Sequence, residues 1–240
     1  MVTRIVTRLF VLAVLAVMLM SARLSYADGP VSVGEATEAT EAAVPNAIGP
    51  AERFTIRATE LLALQVQESG DNEPYVVLGV IRPTGASGQR LDFFATPVFS
   101  GVRNGDIRQM NQTLLDNLNV TRDVAIVAQV IEHDENPINE TIAEMEFRAK
   151  VHYSFAVVNG DTSLASLRNA VAQGFREGLQ TTNRLFSGRD NDEAIGNPVI
   201  VTVSATEMDN LVAGETRTRT ATASGEGAQW RMTFTIRRNQ

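Results

Sequence analysis

Val124-Ala125-Ile126-Val127-Ala128-Gln129-Val130-Ile131-Glu132-His133-Asp134-Glu135 is the stretch whose reading decides the fold. Residues 124–131 are an almost unbroken apolar, β-branched run, which suits a strand buried on both faces. The run then breaks into four polar residues, three of them carboxylates. Another apolar run breaks in the same way at Glu68-Ser69-Gly70-Asp71-Asn72-Glu73-Pro74-Tyr75, and Asp190-Asn191-Asp192-Glu193-Ala194-Ile195-Gly196 opens the strand-like run that follows. Three carboxylate-rich loops at strand ends predict one acidic edge on a β-scaffold.

Outward from this strand the chain reads as many short strands. Phe54, Ile56 and Ala58 alternate with Thr55, Arg57 and Thr59, and Leu62, Leu64 and Val66 continue the period of a half-buried strand. Residues 75–81 and 91–99 flank a Gly/Ser/Pro turn at 83–89 and read as a hairpin. Residues 100–112, with Gly101, Asn104, Gly105 and Asp106, read as a polar loop. Residues 198–205, 216–223 and 229–237 bring the expected strand count to about seven or eight, with Trp230 in the core, and this pattern favours an antiparallel sandwich.

Between the second and third acidic loops the period changes. Ile138, Ile142, Met145 and Ala149 recur at helical steps, as do Leu164, Leu167, Val171, Phe175 and Leu179. Residues 137–188 are therefore an inserted helical hairpin, with Asn159-Gly160-Asp161 turning and Thr162 or Ser163 capping the second helix. Residues 151–155 are compatible with either helix or strand. Ala170, Gly174 and Gly178 share one face and leave room for close backbone approach, so the apolar faces are expected to pack on each other or on the sheet.

Residues 1–27 have Arg4 and Arg8, an apolar core at 9–20, and Ser25-Tyr26-Ala27 at a cleavage-type position, the pattern of a secretory signal peptide. Residues 28–52 are rich in Ala, Glu and Thr and read as a disordered arm, so the folded domain is placed at 53–240. The chain contains no cysteine, which excludes a lipobox anchor, a disulfide framework and a thiolate nucleophile. Its formal charge is −7, and removal of Arg4, Arg8 and Arg23 with the signal makes it −10. That balance disfavours nucleic acid, which needs clustered Lys and Arg.

Oxygen-rich loops suit a hard cation, and calcium takes six to eight oxygens from flexible carboxylates and carbonyls. The candidate ligands are Glu68, Asp71, Glu73, Glu132, Asp134, Asp190, Asp192 and Glu193, with Asp106 in a further loop. Without a cation, converging carboxylates would repel one another and some pKa values would rise. Glu73, Asp134 and Glu193 are expected to meet at one end of the sandwich.

The order of these motifs resembles the C2 domain, a calcium-dependent lipid-binding β-sandwich. The resemblance rests on residues 62–76 leading into Gly70-Asp71-Asn72-Glu73-Pro74-Tyr75-Val76, on Val130-Ile131-Glu132-His133-Asp134 in place of an Asp-x-Asp strand end, and on Glu193-Ala194-Ile195-Gly196. It covers roughly residues 53–135 and 190–237 and implies the sandwich fold and a Ca2+ site between loops. Several family aspartates are glutamates here, and the helices split the loop that closes over the ion. Lipid engagement in that family uses basic or apolar loop tips, which Ser69-Gly70-Asp71-Asn72 does not supply.

No P-loop, Gly-x-Ser-x-Gly or His-Glu-x-x-His pattern is present, and His133 and His152 are the only histidines. Glu132 and Glu193 form a conceivable glycosidase pair, but the aromatic platform for a sugar is lacking. Two non-catalytic readings follow. One is an exported C2-like module that binds calcium and through it a membrane or protein partner. The other is a structural or interaction protein whose helical hairpin is the working surface, with no metal.

Overall fold

The computed structural model describes residues 52–66, 72–85, 87–187 and 191–239. The expected signal peptide and nearly all of the arm lie outside them, as do Glu68, Asp71 and Asp190. The described residues form two antiparallel sheets and a helical hairpin, so the expected sandwich with a helical insertion is the observed architecture.

The first sheet has the order β4-β1-β9-β8, built from β1 (Arg53–Gln65), β4 (Ile107–Asn119), β8 (Thr216–Gly225) and β9 (Ala228–Arg238). The second has β3 (Gly88–Ala95), β2 (Pro74–Thr84) and β5 (Val124–Glu132) in that order. Beyond β5 lie two short pieces, β6 (Glu193–Ala194) and β7 (Val199–Val203). β6 pairs with Ile131 and Glu132, whereas β7 pairs with residues 124–128, so the two are halves of one edge strand broken at 195–198.

Every residue of β5 is buried, as its composition predicts. The two faces meet different partners. Ile126, Ala128 and Val130 join Phe54, Ile56, Trp230 and Phe234 in the core between the sheets. Ala125, Val127 and Ile131 point the other way, into a second core with Tyr75, Val77, Ile81 and the helices. The molecule is therefore three layers, sheet on sheet on helices.

The helices are α1 (Ile138–Val158) and α2 (Leu164–Leu185). Residues 151–155 are helical. Ser163 is the cap of α2, its Oγ accepting from the Ser166 N–H. Gly174 and Gly178 are where the helices touch. A Cβ on either would stand 2.5 Å from the Cα of Ala149 or Met145, so the small-residue face is a helix–helix contact. A short α3 (Ala205–Asp209) is tied to β8 by a bidentate Glu207–Arg219 pair at 2.9 and 2.6 Å.

Two expectations need correction. Residues 107–112, read as loop, belong to β4, an edge strand whose pattern is interrupted at Asn111 and Asn117, both in left-handed conformation. In β1, the pairing register shifts between Ala58 and Glu60. A bulge inserts one residue and inverts which side chains face inward. Leu61 and Ala63 are buried, and Leu64, read as core-facing, is exposed.

Candidate functional site

β2, β5 and β6 end side by side, so the described parts of the three acidic motifs become neighbours. Pro74 is the cross-strand partner of Glu132, and Glu132 that of Glu193. The Glu132 Oε1 accepts from the Glu73 N–H at 2.5 Å, and the His133 N–H donates to the Glu73 carbonyl at 3.1 Å. Asp134 and Asp192 join this edge through a bond from the Asp134 N–H to Asp192 Oδ1 at 3.1 Å. Glu73, Glu132, Asp134, Asp192 and Glu193 are thus gathered at one end of the second sheet. Asp106 belongs to a different edge, where its Oδ2 accepts from the Arg103 N–H and the Arg108 guanidinium.

The centre of the cluster is Asp192, which is fully buried. Its Oδ2 accepts from Tyr75 Oη at 3.0 Å, and its Oδ1 lies 3.2 Å from His133 Nδ1 in addition to the Asp134 amide. The His133 ring stands edge-on to Tyr75, centroids 6.3 Å apart. The Asp192 carbonyl accepts from Asn183 on α2 at 2.9 Å, and Asn183 Oδ1 accepts from Asn136 at 2.7 Å. Burial, and then the charge of Asp192 and its hydrogen bond, push the Tyr75 hydroxyl well above the usual tyrosine range. This network ties the helical hairpin to the sheet end. Asn136, Asn183 and the Tyr75 hydroxyl carried no sequence signal of their own, because amides and hydroxyls reveal such a role only once a partner is opposite.

Gly196 fixes the path of the third motif. Its φ is +67°, and a Cβ would lie 2.1 Å from the Ser224 carbonyl oxygen. Only glycine fits this crossing of the broken edge strand against the end of β8. Beside it is a cavity of about 590 Å³ whose walls include Arg176, Gln180, Asn183, Glu193, Asn197 and Glu226.

Among the described residues no group of three or more His, Asp or Glu side chains is arranged to hold a metal ion. The carboxylates meet at one edge, but Asp192 spends both oxygens on protein donors.

The second sequence candidate, the hairpin, has an unexpected outer face. α1 buries Met145, Ala149 and Thr141 inward. On the opposite side Phe147 is 49% exposed, Phe155 52% and Val158 79%. With Ala143 and the half-buried Val151 these form a stripe at helical spacing, about 22 Å long at 1.5 Å per residue. Glu144–Arg148 at 2.8 Å and the Glu146–Lys150 ion pair line it. A helix apolar on both sides signals a second buried face, and the sequence carried that signal in Phe147, Val151, Phe155 and Val158. Among the described residues no helix is long and apolar enough to cross a membrane.

No protein-family model matches this chain, and no curated protein matches it.

Proposed function

We propose that the chain is a non-catalytic β-sandwich module whose inserted hairpin is its working surface, docking a protein partner on the outer face of α1. The single observation that carries this reading is the exposed stripe of Phe147, Phe155 and Val158 on a helix already packed on its inner side. Exposed apolar area of this kind costs solubility unless something covers it. The stripe is apolar at its centre and rimmed by balanced ion pairs, the anatomy of a protein interface. Balanced charge on the rim gives no attraction to an anionic bilayer.

The test is a Phe147→Ser/Phe155→Ser double variant of the mature protein, with a photo-crosslinking residue at position 151. Side chains that serve only an interface leave the melting temperature of the isolated chain nearly unchanged, since exposed substitutions are worth about ±0.5 kcal/mol. The expected result is an unchanged melt with loss of the cross-linked adduct, whether to another protein or to a second copy. A fall of many degrees would assign the stripe to the chain's own stability and end this reading.

A second reading keeps calcium at the sheet end, in line with the C2 resemblance. It is supported by Glu132 and Glu193 being cross-strand partners, which sets two of the candidate oxygen ligands side by side at the sheet end. Glu73 adjoins them. The remaining candidate ligands, Glu68, Asp71 and Asp190, lie outside the described residues. Melting the mature protein in millimolar calcium and in chelator tests it. A rise of several degrees with calcium follows from binding to the folded state alone, and identical melts would remove the ion. Both readings place the protein outside the cytoplasm, after cleavage following Ala27.

A further inference from the structure

We infer that the outer face of the first sheet is a docking plate for a linear acidic polysaccharide, gripped by Arg57 and Arg237. This face is independent of the hairpin and of the acidic edge. In β1, Phe54, Ile56 and Ala58 point into the core, so Thr55 and Arg57 point out. In β9, Trp230, Met232, Phe234 and Ile236 are buried, so Arg231, Thr233, Thr235 and Arg237 share that outer face. The edge strand β8 adds Thr216, Thr218, Thr220 and Thr222, opposite Arg237, Thr235, Thr233 and Arg231 respectively.

The register sets the two arginines together. Arg57 is the partner of Thr235, which places Arg237 on the diagonal, roughly 7–8 Å away between Cα positions. Arg237 lies between Thr55 and Thr216, and Arg57 between Thr113 and Thr235. Arg57, Arg231 and Arg237 are all exposed. Among the described residues none of them forms an ion pair, whereas Arg82, Arg90, Arg148, Arg217, Arg219 and Arg238 each hold a carboxylate. The acids on the face are already engaged: Glu60 Oε1 accepts from Gln109, and Asp116 Oδ1 from the Thr55 hydroxyl. Two guanidiniums left as diagonal neighbours on a protein of net charge −7 repel each other until an anion bridges them.

Guanidinium forks match carboxylates bidentately. Rows of threonine hydroxyls beside them donate to and accept from sugar hydroxyls, so a polymer of carboxylated sugars satisfies both. The face carries no aromatic side chain on which nucleic-acid bases could stack.

The probe is polygalacturonate, with phosphatidylserine vesicles and single-stranded DNA as competing surfaces. The mature protein is expected to bind the polymer in a salt-sensitive manner. Arg57→Gln and Arg237→Gln should each weaken binding about tenfold, in keeping with the loss of a charge-assisted bond. Arg184→Gln, which makes the same charge change at an exposed position of α2, should bind as the parent does. Equal losses in all three variants would reduce the effect to net charge and overturn the inference, as would absence of binding to the polymer. Binding to vesicles or DNA in preference to the polymer would overturn it as well. All three positions are exposed, and unchanged melts would show that the variants fold.

Discussion

Asp192 is fully buried, and its two oxygens are met by the Asp134 amide on Oδ1, with His133 Nδ1 beside it, and by the Tyr75 hydroxyl on Oδ2. Removing that hydroxyl leaves a buried carboxylate oxygen short of a partner, which costs about 1.5–3 kcal/mol for a bond to a charged group. Tyr75→Phe should therefore melt several degrees lower while keeping the fold. The same bond sets a pH dependence. Tyr75 remains protonated in the fold at pH values where a tyrosine of the unfolded chain, near 10, has ionised. From about pH 10 upward the native state binds one proton more than the unfolded state, so stability falls as pH rises, by about 1.4 kcal/mol per unit, and nothing of this contribution is lost below. Tyr153, also pushed up by burial and by Asp92, adds slope in the same direction. Lys150 is the only lysine, so few other groups obscure it. Denaturant titrations between pH 8 and 11 should show the alkaline decline in the parent and a shallower one in Tyr75→Phe. Equal slopes would dissociate Tyr75 from the effect.

The helical hairpin depends on two absent side chains. Alanine is favoured over glycine by about 1 kcal/mol inside a helix, yet at Gly178 its Cβ would be 2.5 Å from the Met145 Cα and 2.8 Å from its nitrogen. Backbone atoms cannot rotate away, so the helices must separate, and overpacking of this kind costs typically 1–3 kcal/mol. Gly178→Ala is expected to lower the melting temperature by several degrees, whereas Gln173→Ala on the exposed side of α2 should change it little; a stabilised Gly178→Ala would mean the interhelical contact is looser than described. This contact was legible beforehand, because Ala170, Gly174 and Gly178 recur at four-residue steps along a strongly periodic helix. The strand β5 was legible for a similar reason, its composition leaving no polar face. Elements whose pattern is broken by backbone geometry were not. β4 hides behind left-handed Asn111 and Asn117, and the bulge at Ala58 and Glu60 moves Leu64 from the expected core to the surface without any change in composition. The carboxylate edge was readable as convergence, since each motif adjoins the end of an apolar strand run. The commitment of Asp192 to protein donors was not, because it depends on which strand ends become neighbours.

At the level of the whole molecule, the helices are a layer and not an ornament on a loop. Their ends are close, since Glu132 and Glu193 flank the insertion as paired residues, so residues 138–185 could be replaced by a short Gly/Ser linker with no strain on the sheet. The chain topology alone would then leave a two-sheet sandwich. The packing says otherwise. Tyr75, Val77, Ile81, Val127 and Ile131 belong to the core shared with Val171 and Phe175, and none of them joins the core between the sheets. Each side chain of this size is worth about 1.5–3 kcal/mol on burial, so uncovering five forfeits on the order of 10 kcal/mol, comparable to the whole stability of an ordinary domain. The bonds from Asn183 to the Asp192 carbonyl and from Asn136 to Asn183 would vanish with the helix. The deleted protein is expected to lose its cooperative melt and dispersed amide spectrum and to bind a hydrophobic dye, even though every strand is retained. A cooperative transition near that of the full chain would instead demonstrate that the two sheets sustain themselves. The hairpin would then be free to evolve as a docking arm alone, whereas the three-layer packing has both helices share one core with the second sheet and leaves only the outer face of α1 for the partner proposed above.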